Sequence, residues 1–142
     1  MTITTEKRDL FTIPQGYYLA HCISADFALG AGIAKTFDSV YNMRFKLFRN
    51  YPKYEYHGGD ALLVDNVFNL VTKKKCWYKP TYDSLRESLK MMKEYLDFIG
   101  ANKLAIPMLG CGLDKMQWTQ VESILRDVFA DTDVDIVVCT ID

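Results

Sequence analysis

The residues best suited to chemistry follow a short apolar run, where residues 103–114 have the sequence Lys-Leu-Ala-Ile-Pro-Met-Leu-Gly-Cys-Gly-Leu-Asp. A strand that ends in such a glycine-bracketed loop, just before a helix, presents bare backbone N–H groups beside a carboxylate. The loop can therefore hold an anion and offer Asp114 as a general acid or base. A second glycine loop, Gly-Ala-Gly-Ile-Ala at 30–34, follows another apolar run at 17–23. The two loops predict a ligand whose diphosphate lies between them.

A lysine run supplies a candidate nucleophile. Lys73, Lys74 and Lys75 directly follow the apolar run that ends at Thr72. An isolated lysine triplet is more often a solvated turn, but a strand ending beside the glycine loop would point Lys73 into the same cleft as Asp114. Neighbouring positive charge and partial desolvation would then favour the neutral amine that attacks a carbonyl-type carbon, and the carboxylate could take or return the proton.

Cysteine chemistry is the competing interpretation. Cys111, between the two glycines, could be a nucleophile with His21 as its base, although its side chain could equally turn into the core. His21 lies inside an apolar run, where a buried histidine with a structural role is commoner. The four cysteines are far apart without a Cys-x-x-Cys pair, and the chain has only two histidines. This pattern argues against a zinc site and a disulfide framework, so we expect no metal.

Two polar side chains at predicted strand ends could contact a ligand. Asp9 follows the first strand and could accept a hydrogen bond from an adenine amino group, although a turn or cap is its commoner role. Ser24 ends the second strand, where its hydroxyl could reach a phosphate or ribose or could simply cap a turn. Neither glycine loop matches the dinucleotide or P-loop fingerprints, so the loops alone are weak evidence.

The elements that position these residues alternate between strands and helices. Strands are predicted over Thr2–Lys7 at a sheet edge, over 17–23, over 61–72 with a break at 65–66, and over 134–140. Helices are predicted over 32–41, over 44–50, over 82–99 between Pro80-Thr81 and Gly100, and over 121–129 with Thr119 and Glu122 as a capping box. Helices between strands imply parallel strands with helices on both faces, and such sheets bind ligands beyond the carboxyl ends of their strands.

The composition is that of one soluble domain over residues 1–142. The chain is 49% hydrophobic and 25% charged, and it is long enough to bury a core without cross-links. No apolar run reaches the ~18 residues of a membrane span, and no signal-peptide core precedes the first strand. We therefore expect a cytoplasmic protein without a membrane partner. A net charge of -1 gives no global attraction to nucleic acid.

In combination, these residues resemble the macrodomain family. The resemblance is carried by Arg-Asp-Leu-Phe at 8–11, Ala-His-Cys-Ile-Ser at 20–24, Gly-Ala-Gly-Ile-Ala at 30–34, Thr-Lys-Lys at 72–74, Lys-Pro-Thr-Tyr at 79–82, and 107–114 followed by Gln-Trp at 117–118. It covers nearly the whole chain and is greatest to the branch of terminal ADP-ribose protein glycohydrolases, also described as O-acetyl-ADP-ribose deacetylases. The resemblance implies a three-layer α/β/α fold with a central mixed, mostly parallel sheet.

The resemblance also implies roles for the matching residues. Lys73 would be the nucleophile and Asp114 the general acid/base of a hydrolase that releases ADP-ribose from proteins modified on Glu or Asp and from O-acetyl-ADP-ribose. No metal or cofactor is implied. The implied ligand contacts are Asp9, Leu10, Thr140 and Ile141 at the adenosine, Ser24, Gly32 and Ile33 at the diphosphate and distal ribose, Leu109, Gly110, Cys111, Gly112 and Leu113 through backbone N–H groups, and also His21, Thr72 and Met108.

Two other functions stay open at this point. Many macrodomains only bind ADP-ribose, so a non-catalytic reader is one alternative, against which the presence of both Lys73 and Asp114 argues. A hydrolase of ADP-ribosylated nucleic acid is the other. It is favoured by the local cluster of Lys73, Lys74, Lys75 and Lys79, but we rank it lower because lysine clusters are more often only solvated. We expect a monomer.

Overall fold

A six-stranded sheet lies between two layers of helices in the computed structural model, which describes residues 1–141. The strands are β1 (Thr2–Lys7), β2 (Tyr18–Ser24), β3 (Asp60–Val64), β4 (Val67–Lys73), β5 (Lys103–Ile106) and β6 (Asp135–Thr140). The helices are α1 (Gly32–Tyr41), α2 (Met43–Asn50), α3 (Tyr82–Ile99) and α4 (Trp118–Val128). None of these helices is long and apolar enough to cross a membrane.

The sheet is mixed and mostly parallel, as predicted. Its strand order is β1-β6-β5-β2-β4-β3, and only β3 runs antiparallel to its neighbour. The predicted break between β3 and β4 is a tight turn in which Asp65 adopts the left-handed conformation, with φ 54°. Because the other five strands are parallel, their carboxyl ends all lie at one edge of the sheet.

Helices cover both faces of the sheet and complete the three-layer fold. On one face, α3 and α4 bury Leu89, Leu96 and Leu125, and on the other, α1 and α2 bury Phe37 and Leu47. Each of these side chains is fully buried and contributes roughly 1.5–3 kcal/mol relative to an exposed position. The two apolar layers hold the sheet rigidly, so the loops at its carboxyl edge start from well-defined positions.

Local signals set the ends of α3 but not the start of α4. In α3, the Thr81 and Ser84 side chains form a capping box, and Gly100 ends the helix with φ 70°. The capping box predicted for Thr119 and Glu122 is wrong, because α4 begins earlier, after Gln117. The backbone N–H of Gln117 donates to the Tyr82 hydroxyl at 3.0 Å. This contact with α3 holds the chain where α4 starts, and it overrides the local sequence signal.

His21 is part of a buried polar unit, so its predicted ligand contact is wrong. Its Nε2 lies 2.6 Å from Oδ1 of Asn69, whose Nδ2 donates to the Leu62 carbonyl at 3.1 Å. Alternation along β2 turns the ring toward α1, where it stacks on Phe37 with the ring centroids 3.9 Å apart. Burial lowers the pKa of His21 to about 4, although the hydrogen bond to Asn69 opposes this shift. The neutral ring is a core residue.

We predict that His21 makes the fold less stable in acid. The unfolded chain binds a proton near pH 6.5 and the folded protein only near pH 4, so the unfolding free energy falls by roughly 3 kcal/mol as the pH decreases between these values. His21→Gln keeps a hydrogen-bond donor but does not titrate, and it should flatten this part of the pH profile. Urea unfolding at several pH values measures the effect. His57→Gln makes the same change at an exposed position as a control, and an unaltered profile in His21→Gln would refute the prediction.

Candidate functional site

A cleft of about 580 Å³ opens at the carboxyl ends of β2, β4 and β5. This is the edge at which ligands bind in parallel sheets, and the volume is typical of ligand sites. Its walls are three segments that leave these strands, namely residues 28–34 after β2, residues 76–79 after β4 and residues 107–114 after β5, apart from Cys111. Both glycine loops and Lys73, the first residue of the lysine run, therefore meet at one cleft, as the sequence predicts.

Lys73 and Asp114 are in direct contact inside this cleft. Lys73 is the last residue of β4, and its Nζ donates to Oδ1 of Asp114 at 2.8 Å. Their side chains are only 14% and 15% exposed, so solvent screens the pair much less than it screens a surface ion pair. A proton can move directly between the amine and the carboxylate. The group in contact with the Lys73 amine is thus the Asp114 carboxylate. The sequence had instead suggested that the neighbouring lysines would act on this amine.

The two glycine loops face each other across the cleft. A Cβ atom on Gly32 would lie 3.8 Å from Cδ1 of Leu113, so the loops are in van der Waals contact range. Helix α1 begins at Gly32, and its N-cap residue Ala31 makes no side-chain hydrogen bond to the first turn. Such an uncapped helix start presents N–H donors and the positive end of the helix dipole. The arrangement can hold an anionic group such as a diphosphate.

Gly110 shapes the loop that carries Asp114. Its φ is 71°, in the left-handed region, and its carbonyl accepts from the Met116 N–H at 2.8 Å. A Cβ atom on Gly110 would approach Sδ of Met116 to 2.5 Å, so a side chain there would meet both strain and a clash. Glycine at this position keeps the loop tight and leaves its backbone facing the cleft.

Asp26 is a site residue that the sequence reading missed. Its carboxylate accepts hydrogen bonds from the Ser24 hydroxyl, from the Ala28 N–H at 3.2 Å and from the Cys76 N–H at 2.9 Å. Although burial raises the pKa of Asp26, these hydrogen bonds together hold it below its ordinary value. Asp26 therefore ties the segment after β2 to the segment after β4. The position of Asp26, two residues after the end of β2, could have predicted this role, since aspartates in turns often accept hydrogen bonds from backbone N–H groups.

The segment after β4 supplies cleft residues that were not predicted as ligand contacts. Trp77 and Tyr78 line the cleft while staying 72% and 49% exposed, so they form part of its mouth. Lys79 crosses to the opposite wall, where its Nζ donates to the Leu113 carbonyl at 3.1 Å. This bond joins the segment after β4 to the glycine loop after β5, next to the Lys73–Asp114 pair.

Cys111 does not line the cleft, so its predicted ligand contact is not supported. Its N–H donates to the Met108 carbonyl at 3.1 Å, and its Sγ lies 3.4 Å from the Leu109 carbonyl, against the core. Burial raises the pKa of the Cys111 thiol. His21, its suggested base, is on the opposite face of the sheet. The proposed thiol–histidine pair is therefore wrong, because the alternation of β2 separates its members.

Cys22 is a cysteine that does line the cleft. Burial, with a smaller contribution from Asp114, raises the pKa of the Cys22 thiol to about 12. Cys22 is therefore a neutral thiol beside the ion pair, and it supplies apolar surface to the cleft rather than a thiolate.

The predicted ligand-contact residues fall into three groups. Those that line the cleft are Ser24, Gly32, Ile33, Met108, Leu109, Gly110, Gly112 and Leu113. Those at the same sheet edge but outside the cleft are Asp9, Leu10, Thr140 and Ile141, which follow or end β1 and β6. The third group is His21 in the core, Cys111 half-buried against the core, and Thr72 in a neighbouring cleft.

The adenosine residues of the prediction have local structural roles as well. Asp9 Oδ1 accepts from the Phe11 N–H at 2.9 Å and caps a short turn, and the Leu10 side chain is buried. Thr140 lies beside this turn, because its carbonyl accepts from the Arg8 N–H at 2.8 Å. Residues 1–141 contain no cluster of three or more His, Cys, Asp or Glu side chains that could hold a metal ion.

Comparison with characterised proteins gives strong matches at the sequence level. The chain is 41% identical to the Bos taurus ADP-ribose glycohydrolase OARD1 over 142 residues, which cover 98% of this chain and 91% of the relative. It is 39% identical to the Homo sapiens ADP-ribose glycohydrolase OARD1 with the same coverage. No protein-family model matches the chain.

Solved structures confirm the three-layer fold. The macrodomain of Mycobacterium tuberculosis DarG matches with a TM-score of 0.86 and 23% identity over 98% of this chain and 97% of that one. The Thermosipho africanus DarTG structure, solved in complex with ADP-ribose, matches with a TM-score of 0.76 and 16% identity over 98% of this chain and 41% of that one.

We predict that Asp26→Asn loosens the segment after β4. In asparagine an NH₂ group replaces Oδ2, the oxygen that accepts from the Cys76 N–H. Because this hydrogen bond is lost, the unfolding free energy should fall by about 1–2 kcal/mol. The lowered pKa of Asp26 means that this stabilisation is present at neutral pH and is lost as the pH falls through that pKa. Hydrogen exchange of residues 73–81 at neutral pH should therefore become faster.

Asp65→Asn is the matched control for this experiment. It removes the ion pair between Asp65 and Lys46, which is exposed and lies outside the cleft. If amide hydrogens of residues 73–81 exchange as slowly in Asp26→Asn as in Asp65→Asn, Asp26 does not hold this segment.

Proposed function

Because the chain belongs to the macrodomain family, as an ADP-ribose glycohydrolase of the OARD1 type, we propose that it releases ADP-ribose from acylated forms with Lys73 as nucleophile and Asp114 as acid/base. The observation that carries this proposal is the 2.8 Å contact between Nζ and Oδ1 inside the cleft. The substrates are ADP-ribose esters, either on Glu or Asp side chains of proteins or with acetate.

The order of strands supports a direction for the ligand. Residues that end or follow β1 and β6 would contact adenosine, the loops after β5 and β2 would hold the diphosphate, and Lys73 at the end of β4 would meet the distal ribose. Four strand spacings separate β1 from β4, which is about 19 Å. This is the scale of an extended nucleotide diphosphate sugar. ADP-ribose in the Thermosipho relative is consistent with the same ligand class.

The uncapped start of α1 would do most of the anion binding. Its free N–H groups, with Gly32 closest to the opposite loop, can donate to phosphate oxygens without any lysine contact. Lys73 is thereby left for chemistry. Phosphate binding on one side also fixes the ribose near the amine, which is the positioning that a covalent step requires.

In the first half-reaction, Lys73 displaces the acyl group. Asp114 takes a proton from the ammonium, and the amine lone pair forms a C–N bond at the anomeric carbon of the distal ribose. The C–O bond to the acyl group breaks, and the acyl group leaves as a carboxylate with the bonding electrons. Burial of both side chains keeps the proton transfer local.

In the second half-reaction, water releases ADP-ribose. The ring C–O bond breaks as the ring oxygen takes a proton that the adduct nitrogen gives up, which leaves an iminium. Water adds to the iminium carbon and passes one proton to the nitrogen. The C–N bond then breaks with its electrons returning to Lys73, the other water proton is released, and the ribose ring closes again. The amine then recovers a proton from Asp114. One proton is released together with the carboxylate, as hydrolysis of an ester requires, and neither a metal nor a redox step enters the balance.

We predict that Lys73→Ala and Lys73→Arg both abolish release of ADP-ribose from acylated substrates. Arginine keeps a positive charge opposite Asp114 but stays protonated and cannot attack carbon. Lys73→Arg therefore distinguishes a nucleophilic role of Lys73 from a purely electrostatic one. Asp114→Asn should lower kcat by about 10²- to 10⁴-fold, the usual effect of losing a general acid/base. Cys111→Ala should keep most of the activity, because its thiol faces the core. Trapping with cyanoborohydride should add ADP-ribose covalently to the wild-type protein but not to Lys73→Arg.

The same assay separates the proposal from its alternatives. Wild-type protein that binds ADP-ribose but releases none from any substrate would be a reader. Release only from a modified DNA or RNA end, with strong salt dependence, would make the lysine cluster a nucleic-acid site. Loss of activity in Cys111→Ala with normal activity in Lys73→Ala would assign the reaction to the thiol.

A further inference from the structure

Exposed apolar side chains lie at the mouth of the cleft, beside the reacting pair in the chain. Trp77 is 72% exposed and follows Lys73 by four residues. Leu113 is 66% exposed and directly precedes Asp114. Tyr78 lines the cleft next to Trp77, with the two rings nearly perpendicular and their centroids 6.0 Å apart. We call Trp77, Tyr78 and Leu113 the rim. Large apolar side chains that stay exposed together at a cleft mark a contact surface.

The indole of Trp77 is presented by a turn that the rest of the site holds in place. The Tyr78 N–H donates to the Lys75 carbonyl at 3.0 Å, which puts Trp77 near the tip of this turn. The Asp26 carboxylate fastens the turn by accepting from the Cys76 N–H at 2.9 Å. An aromatic side chain on a fixed backbone gives a large contact area at a small cost in conformational entropy. The indole is therefore prepared for a partner.

The displacement at the anomeric carbon is directed from the floor of the cleft toward the rim. The Lys73 and Asp114 side chains are nearly buried, whereas the rim side chains are exposed, so the amine lies at the floor and the rim at the mouth. A group that an amine displaces leaves on the side of the carbon opposite the amine, where the reacting orbitals are aligned. The acyl group therefore moves away from Lys73 toward the mouth, where the rim lies.

The rim is poorly placed for the adenine of the ligand. Trp77 follows β4, whereas the residues expected at the adenosine end or follow β1 and β6. Strands β1 and β4 are four spacings apart in the sheet, which is about 19 Å. The indole is therefore at the end of the cleft where the distal ribose and its acyl group would lie.

The chemistry of the rim favours a polypeptide over a nucleic acid. The Lys73 and Lys79 ammonium groups are bound to the Asp114 carboxylate and the Leu113 carbonyl, so two members of the local lysine cluster are engaged within the protein. The surface between them and solvent is the apolar and aromatic rim. Such a surface packs against a peptide backbone and aliphatic side chains, and Trp and Tyr are the residues that most often anchor protein contacts.

We propose that the rim binds the polypeptide that carries the ester, beside the modified Glu or Asp. This inference rests on the proposed function, which places the anomeric carbon at Lys73. Acetate ends just beyond its carboxyl group, inside the cleft, whereas a Glu or Asp side chain continues to a peptide backbone at the mouth. The rim thus favours protein esters over O-acetyl-ADP-ribose, and Trp77 is the residue that determines this preference.

The first test measures binding without chemistry. In the full chain carrying Lys73→Ala, the Kd is measured for ADP-ribose and for a peptide mono-ADP-ribosylated on Glu. The peptide should bind more tightly than ADP-ribose. Adding Trp77→Ala should weaken peptide binding by about five- to tenfold, the effect of truncating one partly exposed aromatic anchor, and leave the Kd of ADP-ribose unchanged. Trp77→Tyr keeps an aromatic ring and should retain most of the peptide affinity.

The second test measures turnover in the chain with Lys73 intact. Trp77→Ala should lower kcat/KM for the peptide by the same factor and leave hydrolysis of O-acetyl-ADP-ribose unchanged. Phe98→Ala is the matched control for both tests. It also removes an exposed aromatic ring, which is 89% exposed near the end of α3, at the opposite edge of the sheet from the cleft. Phe98→Ala should match its parent with every ligand and substrate.

Each contrary result has a definite meaning. Equal peptide affinity in the Trp77→Ala and Phe98→Ala chains would overturn the rim contact and leave the proposed function intact. A weaker Kd for ADP-ribose in Trp77→Ala would overturn it as well, because the indole would then contact the ligand itself. A defect confined to an ADP-ribosylated DNA end would assign the rim to nucleic acid instead.

Failure of the proposed function is recognised separately. A wild-type protein that is inactive on both acyl substrates, or a Lys73→Ala protein that still hydrolyses them, would refute the chemistry assigned to Lys73. If the wild type is inactive, the binding comparison still decides whether the rim contacts the polypeptide, since it requires no turnover.

Discussion

The parallel direction of five strands is the constraint on which the rest of the structure depends. Each connection between parallel strands brings the chain back to the amino edge of the sheet, so the segments after β2, β4 and β5 leave the carboxyl edge side by side. Lys73 and Asp114 are 41 positions apart in sequence, but the strands that carry them flank β2. Their contact is therefore a consequence of strand order and not of any local motif.

Contacts between loops complete what the sheet begins. Asp26 joins the segment after β2 to the Cys76 N–H, and Lys79 joins the segment after β4 to the Leu113 carbonyl. These bonds are polar and lie partly in solvent, whereas the core below them is apolar and tightly packed. The site thus combines a rigid base with walls that are held by a few hydrogen bonds.

Sequence patterns located most elements because the signals are local. The period of apolar residues, the Thr81 cap and Gly100 define α3 to the residue, and the break at 65–66 separates β3 from β4. The start of α4 was misjudged because the Tyr82 hydroxyl, from another helix, holds the Gln117 N–H. His21 and Cys111 were misjudged because strand alternation and loop curvature, which decide where a side chain points, depend on the neighbouring elements.

The sequence by itself determined the order of elements, the two glycine loops and the choice of Lys73 and Asp114 as the candidate reactive pair. These depend on residue type and spacing, which a linear pattern records. Only the tertiary structure decided that the amine and carboxylate are 2.8 Å apart and that Asp26 links two walls. The physical reason is that contacts across a sheet edge arise from strand order and packing, and these join residues that are distant in the chain.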